Sequence, residues 1–403
     1  MFKQKSIFRF SLLALSASFF VACQKSEETA PEDNREYKFI NLLVSDNTTN
    51  RLSLITPQTN KISAFNAKFV KSALYTTESG RFAVIIHRAD NTVETFDTGF
   101  ERHSDHVDVK GTPKFGAFVG NSALPTHFKS HGSEVAVFND GDGTLSIANE
   151  NDFHTAGIQL KTIQTGNKAH HGAMAKFDNG NYAITEKDGS VAGSLPERVK
   201  IMDTNGKTLH VSTVQTKGIH GNATNGKVAI FGSASGVLVV NNDGTQKLIP
   251  HPTDFGTAWF GTILEAAQAN KFIGYTAAKG AYFIDATTDK ITPIITSTDI
   301  MQCKVDYAGA NLIVLLHSGE LHIYNLANGL LKAKDVVIGA TEKTSTTKPQ
   351  LVATQKYIYI TQPNTGEVLQ VQSSNLKSIT KLAVGGSPSS ITIVGTETSK
   401  GHD

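Results

Sequence analysis

The chain has 403 residues, and 38 Lys and Arg stand against 36 Asp and Glu, so the formal net charge is only +2. A nearly neutral chain without basic clusters binds phosphate backbones poorly, which excludes nucleic acid as a partner. The sequence contains two cysteines, Cys23 and Cys303. If Cys23 carries lipid, as argued next, no internal disulfide can form and a hydrophobic core must hold the domain.

The N-terminus predicts an export signal over residues 1–22, because three positive charges precede an apolar run too short to span a bilayer. Residues 20–23 read Phe-Val-Ala-Cys, which resembles a bacterial lipobox. We therefore expect cleavage before Cys23 and attachment to a membrane through lipid on this cysteine, without a transmembrane segment. An ordinary signal peptide with an incidental cysteine is the alternative.

The segment after the cysteine predicts the location and the domain organisation. Gln24 stands where lipoproteins retained in the inner membrane usually have Asp, so we expect a cell-envelope lipoprotein on the periplasmic side of the outer membrane. Residues 23–36 are polar and acidic and cannot repay the entropy of ordering, which predicts a disordered, lipid-anchored tether. A single folded domain is expected over 37–397, with a short tail over 398–403.

Beyond the tether the sequence predicts an all-β fold. Short apolar or β-branched runs alternate with Gly, Asn, Asp and Thr, and almost no stretch has a helical period. The runs come in pairs that are joined by tight turns such as DGDG at 140–143 and SASG at 233–236. These pairs recur about every 40 to 45 residues, a period typical of four-stranded propeller blades.

The repeat count predicts an eight-bladed β-propeller, with seven blades as the alternative. The first unit lacks an opening strand, whereas residues 387–395 form an opening strand with nothing after it. Together they would complete one blade, so the C-terminal strand would close the ring and leave no exposed sheet edge there. Polar insertions at 100–115 and 186–200 interrupt the repeat. The units lie near 37–67, 70–120, 125–166, 170–217, 219–257, 260–299, 301–340 and 349–385.

Histidines occur at equivalent points of three successive units. His127 and His220 each stand eight residues before a valine that opens an apolar run, and His170 and His171 begin a third segment of this kind. Because the innermost strands of a propeller begin at the same mouth of the central channel, we expect these imidazoles to meet there. The alternative is that each histidine is a hydrogen-bonded lining residue of the channel.

Two acidic residues are expected on the same face. Asp140 and Asp142 belong to the DGDG turn of the third unit, and the turn between second and third strands lies at the mouth where the first strand begins. Neutral imidazole suits Zn²⁺, Cu²⁺ and Ni²⁺. The sequence therefore predicts a metal site of His127, His170 or His171, and His220, completed by Asp140, Asp142 or water.

A second candidate cluster lies in the first insertion. His103, His106 and Asp108 offer a His-x-x-His-x-Asp pattern that can chelate one metal weakly on a mobile loop. We expect a secondary metal site or a transfer loop for the main site, and the alternative is a solvated polar loop. His131, at the far end of the same strand as His127, should point to the opposite mouth of the channel.

Five motifs along the chain resemble those of the AztD family of periplasmic zinc metallochaperones. The resemblance extends from about His103 to Val240 and implies a β-propeller that carries zinc on the channel-mouth histidines. It also implies delivery of zinc to the solute-binding protein of a zinc ABC importer. This chain departs from the family pattern at Asn222, where many members have Glu after His-Gly. The motifs are PTHF, NDGDGTLSI, AHHGAMA, IHGNAT and FGSASGVLVV.

Three function classes compete at this stage. The first is a monomeric zinc carrier, the second a lipid-anchored propeller that scaffolds envelope proteins, and the third a propeller enzyme such as a lactonase. Gly-x-Ser-x-Gly elbows, phosphate loops and dinucleotide fingerprints are absent from strand–turn–helix contexts, so the sequence predicts no enzyme. Clustered histidines are needed by a carrier and not by a scaffold, which favours the carrier.

Overall fold

Eight four-stranded antiparallel sheets follow one another in the computed structural model, which describes residues 34–401. They form an eight-bladed propeller, as the repeat count predicts. The predicted signal peptide, Cys23, most of the tether and the last two residues lie outside the described range. Within that range, no helix is long and apolar enough to cross a membrane.

The strands of the first four blades have the following bounds. Blade 1 contains β1 (Ile40–Asp46), β2 (Arg51–Thr56) and β3 (Lys61–Asn66); blade 2 contains β4 (Ala73–Thr76), β5 (Phe82–His87), β6 (Thr92–Asp97) and β9 (Lys114–Asn121), with an inserted hairpin of β7 (Phe100–His103) and β8 (His106–Val109). Blade 3 contains β10 (Pro125–His131), β11 (Glu134–Asn139), β12 (Thr144–Asn149) and β13 (Lys161–Ile163); blade 4 contains β14 (Met174–Lys176), β15 (Tyr182–Glu186), β16 (Arg198–Met202) and β17 (Thr208–His210).

The remaining blades continue in the same order. Blade 5 contains β18 (Ile219–Thr224), β19 (Val228–Ser233), β20 (Gly236–Asn241) and β21 (Gln246–Ile249); blade 6 contains β22 (Thr262–Ala266), β23 (Lys271–Thr276), β24 (Gly280–Asp285) and β25 (Lys290–Thr296). Blade 7 contains β26 (Ile300–Val305), β27 (Asn311–Leu316), β28 (Glu320–Asn325) and β29 (Leu331–Val336); blade 8 contains β30 (Leu351–Ala353), β31 (Tyr357–Gln362), β32 (Glu367–Gln372) and β33 (Asn375–Ala383). Short 3-10 turns lie at Arg88–Asp90, Glu150–Asp152 and Ala267–Ala269.

The C-terminal strand closes the ring, which confirms the prediction from the two half-units. This strand, β34 (Pro388–Gly395), pairs antiparallel with β1 as the fourth strand of blade 1. Leu42 lies opposite Ile393 and Val44 opposite Ile391, so both strands contribute to one apolar layer. Pairing removes the free edge that each strand would otherwise present.

The core lies between neighbouring blades. The second strand of a blade is packed on both faces, and β5 and β27 are accordingly buried along their whole length. Between blades 3 and 4, for example, Phe138 packs in one cluster with Tyr182 and Met202. Strands that are buried on both faces read as continuous apolar runs, which explains the runs in the sequence.

A buried carboxylate, that of Glu36, lies near the start of the described chain. Glu36, which the sequence analysis assigned to the tether, accepts hydrogen bonds from Thr354 Oγ1 and Tyr359 Oη at 2.7 Å each. Burial raises the pKa of Glu36, and the two hydroxyl donors oppose this shift. Glu36 therefore fastens the start of the domain to blade 8.

Candidate metal centre

Three imidazoles from successive blades converge at one mouth of the channel. His127 lies on β10, His171 just before β14, and His220 on β18. One ligand nitrogen of each lies within 4.8 Å of the other two. The Nε2 atoms of His127 and His171 are 3.3 Å apart, and the rings of His171 and His220 stack with centroids 5.1 Å apart. The three residues are named the histidine triad below.

Hydrogen bonds behind the rings fix which nitrogen faces the centre. The Nδ1 of His220 lies 2.6 Å from the carbonyl oxygen of Gly261. A carbonyl oxygen only accepts, so this Nδ1 carries the proton, and the Nε2 of the neutral ring keeps a free lone pair. The Nδ1 of His171 likewise donates to Asp140 Oδ2 at 2.8 Å. Such partners orient metal-binding imidazoles and raise their basicity.

Asp140 stands behind the triad. Its Oδ2 accepts from His171 and from Arg88, whose guanidinium nitrogen is 3.2 Å away. Burial raises the pKa of Asp140, but the hydrogen bonds from His171 and Arg88 outweigh that effect and hold the pKa below its usual range. Its other oxygen, Oδ1, is buried without a hydrogen-bond partner among the described residues. The carboxylate is thus ionised and orients His171.

The pKa of His127 is strongly lowered in the folded protein. Burial lowers the pKa of His127 to about 4, and the neighbouring His171 and His220 add to the shift. Metal ligation requires neutral imidazole. His127 is therefore in its ligating form at neutral pH without any metal to displace a proton.

Besides Asp140, two residues predicted for this site, His170 and Asp142, lie outside the triad. The Nδ1 of His170 is hydrogen-bonded to the carbonyl oxygen of Lys168 at 2.7 Å, and its Nε2 is hydrogen-bonded to the Thr185 hydroxyl at 3.1 Å. It is buried against Phe138 as a structural residue of blade 4. Asp142 accepts from the backbone N–H and hydroxyl of Thr144 and so stabilises its own turn. Sequence spacing left His170 and His171 as alternatives, and the structure places His171 at the centre.

The insertion with His103, His106 and Asp108 lies on the other face of the propeller. β6 begins next to the turn that carries Arg88, close to Asp140, and runs away from that face to Asp97. The insertion follows Asp97 and therefore emerges opposite the triad. It forms a paired hairpin, so a direct transfer of metal between His103 or His106 and the triad would have to cross the propeller.

The channel below the triad holds a charged cavity that the sequence analysis missed. His127, Lys129 and His131 alternate along β10, so all three side chains lie on its channel face. Lys129 Nζ donates to the carbonyl of Asn222 at 3.1 Å and lines a cavity of about 540 Å³. His131 and Glu265 line the same cavity, which is consistent with the predicted opposite direction of His131. The period of two along β10 would have revealed Lys129.

The second insertion packs beside the triad. Its loop, residues 187–197, joins β15 to β16, and the carbonyl of Ser194 accepts the backbone N–H of His171 at 2.9 Å. The carbonyl of Pro196 accepts the N–H of Ile219, the neighbour of His220, at 2.8 Å. Buried Glu197 binds Lys187 Nζ at 2.8 Å and fixes the base of the loop. The sequence marked this loop as an insertion but gave no sign of these contacts.

Comparisons with known proteins agree with the fold. No protein-family model matches the chain. The zinc chaperone AztD of Citrobacter koseri is 23% identical over 350 residues, which cover 83% of this chain and 81% of that protein. The crystal structure of Citrobacter koseri AztD matches with a TM-score of 0.81 at 20% identity, over 89% of this chain and 99% of that chain. The structure of apo AztD gives 0.80 at 20% identity, over 89% and 98%. The resemblance to AztD seen in the sequence motifs is thereby confirmed.

Proposed function

We propose that this protein is a zinc metallochaperone of the cell envelope. It carries Zn²⁺ on the histidine triad and delivers it to the solute-binding protein of a zinc ABC importer. The observation that carries the proposal is the convergence of three imidazoles, two of them held by Nδ1 partners so that Nε2 faces the centre. Similarity to a zinc chaperone over most of the chain supports zinc as the cargo.

The donor set suits a cargo that must be released. Three neutral imidazoles bind Zn²⁺ without thiolate, and a fourth position stays open for water or for a ligand of the acceptor protein. Cys303, the cysteine that the structure describes, is buried on β26 in blade 7, and burial raises its pKa to about 12. A buried neutral thiol in a different blade adds nothing to the site.

Carriage fits the site better than catalysis. Zinc hydrolases place a general base beside the open coordination position, where it can take a proton from bound water. Asp140 is the carboxylate in hydrogen-bond contact with the triad, and it lies behind His171 with Oδ2 engaged. Its role in this arrangement is to orient His171.

The proposal includes anchoring through Cys23 to the periplasmic side of the outer membrane, with the protein acting as a monomer. The sequence support is the lipobox at 20–23 and the acidic tether after it. Cys23→Ser should release the protein into the soluble periplasmic fraction. A variant that fractionates with membranes as the parent does would remove the lipoprotein part while leaving the metal site untouched.

Metal analysis tests the central claim. Protein purified without a histidine tag should contain or take up one tightly held zinc, and His127→Ala and His220→Ala should each weaken it at least tenfold, about 1.4 kcal/mol. His131→Gln, on the same strand but at the far mouth, is the matched control and should bind as the parent does. A purified zinc solute-binding protein should then strip zinc from the parent in a stopped-flow assay. Unchanged affinity in both alanine variants would overturn the proposal and leave the scaffold alternative.

A further inference from the structure

The hairpin β7–β8 carries a second set of metal-binding side chains, far from the triad. Its register sets Glu101 opposite Asp108 and His103 opposite His106. Residues two apart on a strand share a face, and directly paired residues share that face across strands. All four side chains therefore lie on one face of the hairpin, two imidazoles at the turn and two carboxylates behind them.

Each imidazole of the cluster lies close to a carboxylate oxygen of the same cluster. His103 Nε2 is 3.3 Å from Asp108 Oδ2 and 3.6 Å from Glu101 Oε1, and His106 Nε2 is 3.7 Å from Asp108 Oδ1. Nitrogen and oxygen ligands about 2.0–2.1 Å from a tetrahedral Zn²⁺ are roughly 3.4 Å apart. The two rings stack with centroids 5.2 Å apart, and both face the carboxylate of Asp108.

Contacts outside the cluster hold two of these groups in place. Arg81 binds Glu101 Oε2 at 2.8 Å, which leaves Oε1 directed at His103, and Arg81 is itself held by the buried carboxylate of Asp97. Lys110 Nζ lies 2.9 Å from Asp108 Oδ2 and so competes for one ligand atom. An ammonium that must be displaced makes such a site weaker than one without it.

The hairpin is mounted rigidly on the propeller. Val107 is buried and donates its N–H to the carbonyl of Lys400 at 3.1 Å. The Phe100 ring packs edge-on against Phe39 with centroids 5.3 Å apart. The ligand face itself stays open, because the side chain of His103 is 42% exposed. A rigid, open face binds a cation without the cost of ordering a loop.

We propose that Glu101, His103, His106 and Asp108 form a second, surface site for a divalent transition cation such as Zn²⁺. The site is independent of the triad, since the two lie on opposite faces. It requires no transfer between them and gives the protein a capacity of two ions, one held in the channel mouth and one exchanging freely with solvent.

Zinc titration of the full chain in a His127→Ala/His220→Ala background isolates this site. One equivalent should bind, at least tenfold more weakly than the first equivalent of the parent, and Co²⁺ in its place should give the visible absorption of a nitrogen- and oxygen-bound ion. Adding His103→Gln and His106→Gln should abolish that equivalent. His210→Gln, at an exposed histidine on β17, is the control and should change nothing.

Lys110→Ala provides a second variant that leaves the ligands intact. Removal of the ammonium should tighten zinc binding severalfold in the same background, because Asp108 loses its competitor. Absence of the second equivalent, or its persistence after the His103 and His106 changes, would overturn the proposal. A failure of the proposed function would look different. If the histidine triad does not bind zinc, the parent chain with His103→Gln/His106→Gln should bind no zinc at all.

Discussion

His220 donates its Nδ1–H to the carbonyl oxygen of Gly261 over 2.6 Å, from blade 5 to the start of blade 6. The contact joins neighbouring blades directly behind a ring of the triad. It fixes the tautomer of His220 without a charged partner, whereas His171 is fixed by the carboxylate of Asp140. The triad therefore has one histidine oriented by a carboxylate and one oriented by a backbone carbonyl. Loss of these two hydrogen-bond partners should change zinc affinity to different extents.

The carboxylate of Asp140 can be replaced by an amide of nearly the same shape. Asp140→Asn should lower zinc affinity by about ten- to a hundredfold, because the orienting carboxylate and its negative charge behind His171 are lost. Competition with a chromophoric zinc chelator measures the change. Asp142→Asn, two residues away in the same turn, is the control and should retain the parent affinity. Equal affinities for both variants would show that His171 needs no carboxylate.

The low pKa of His127 predicts a dependence of stability on pH in the metal-free protein. Folding lowers the pKa of His127 from 6.5 to about 4, chiefly through burial. Between these two pH values the unfolded chain binds a proton at this residue and the folded chain does not. Stability should be unaffected above pH 6.5 and should fall as the pH drops towards 4. The loss from this residue is about 2 kcal/mol at pH 5.

His127→Gln removes this titration. Denaturant unfolding at pH 7 and pH 5 should therefore show a smaller loss of unfolding free energy in the variant than in the parent. His131→Gln is the control from the other end of β10. The interpretation fails if parent and His127→Gln lose the same free energy between the two pH values.

Much of the fold could be predicted because the strand pairs of the blades recur at a regular spacing in the sequence. The unmatched strand at 387–395 and the missing opening strand of the first unit indicated closure, and β34 pairs with β1 as expected. The period of the repeat also brought His127 and His220 to one mouth, since equivalent positions in successive blades face the same end of the channel.

Other features depended on contacts that no local pattern encodes. His170 and His171 are adjacent, and only the packing of His170 against Phe138 decides which ring turns to the channel. The carbonyl of Gly261 supports His220 through a backbone atom, which leaves no signature in residue type. The far-face position of the His103 insertion is different, because the insertion follows the third strand of its blade and the predicted strand order already implied that face.

Closure by β34 makes the C-terminus essential to stability. Deleting residues 387–403 should lower the free energy of unfolding severely, because β1 becomes an open edge and Ile391 and Ile393 leave the layer that they share with Leu42. Thermal melting followed by circular dichroism measures the effect. Deleting only residues 402–403 is the control. A 387–403 deletion that melts with the parent would show that the ring does not depend on this strand.

Lys129 should weaken zinc binding from below the triad. It shares the channel face of β10 with His127, about 7 Å away along the strand, and its charge already contributes to the low pKa of His127. An ammonium on this face would repel Zn²⁺ bound by the triad. Water in the cavity screens part of this, so Lys129→Met should tighten zinc binding by about tenfold and slow its release.

Lys176→Met is the matched control for this change. Lys176 lines the same cavity, but its ammonium is paired with the Glu134 carboxylate at 2.7 Å. Lys176→Met therefore removes a positive charge that is already neutralised by its partner, and it should change zinc affinity less than Lys129→Met. Competition titrations give the affinities, and stopped-flow mixing with excess chelator gives the release rates. If Lys129→Met releases zinc as fast as the parent, the ammonium does not act on the cargo, and its hydrogen bond to the Asn222 carbonyl is purely structural.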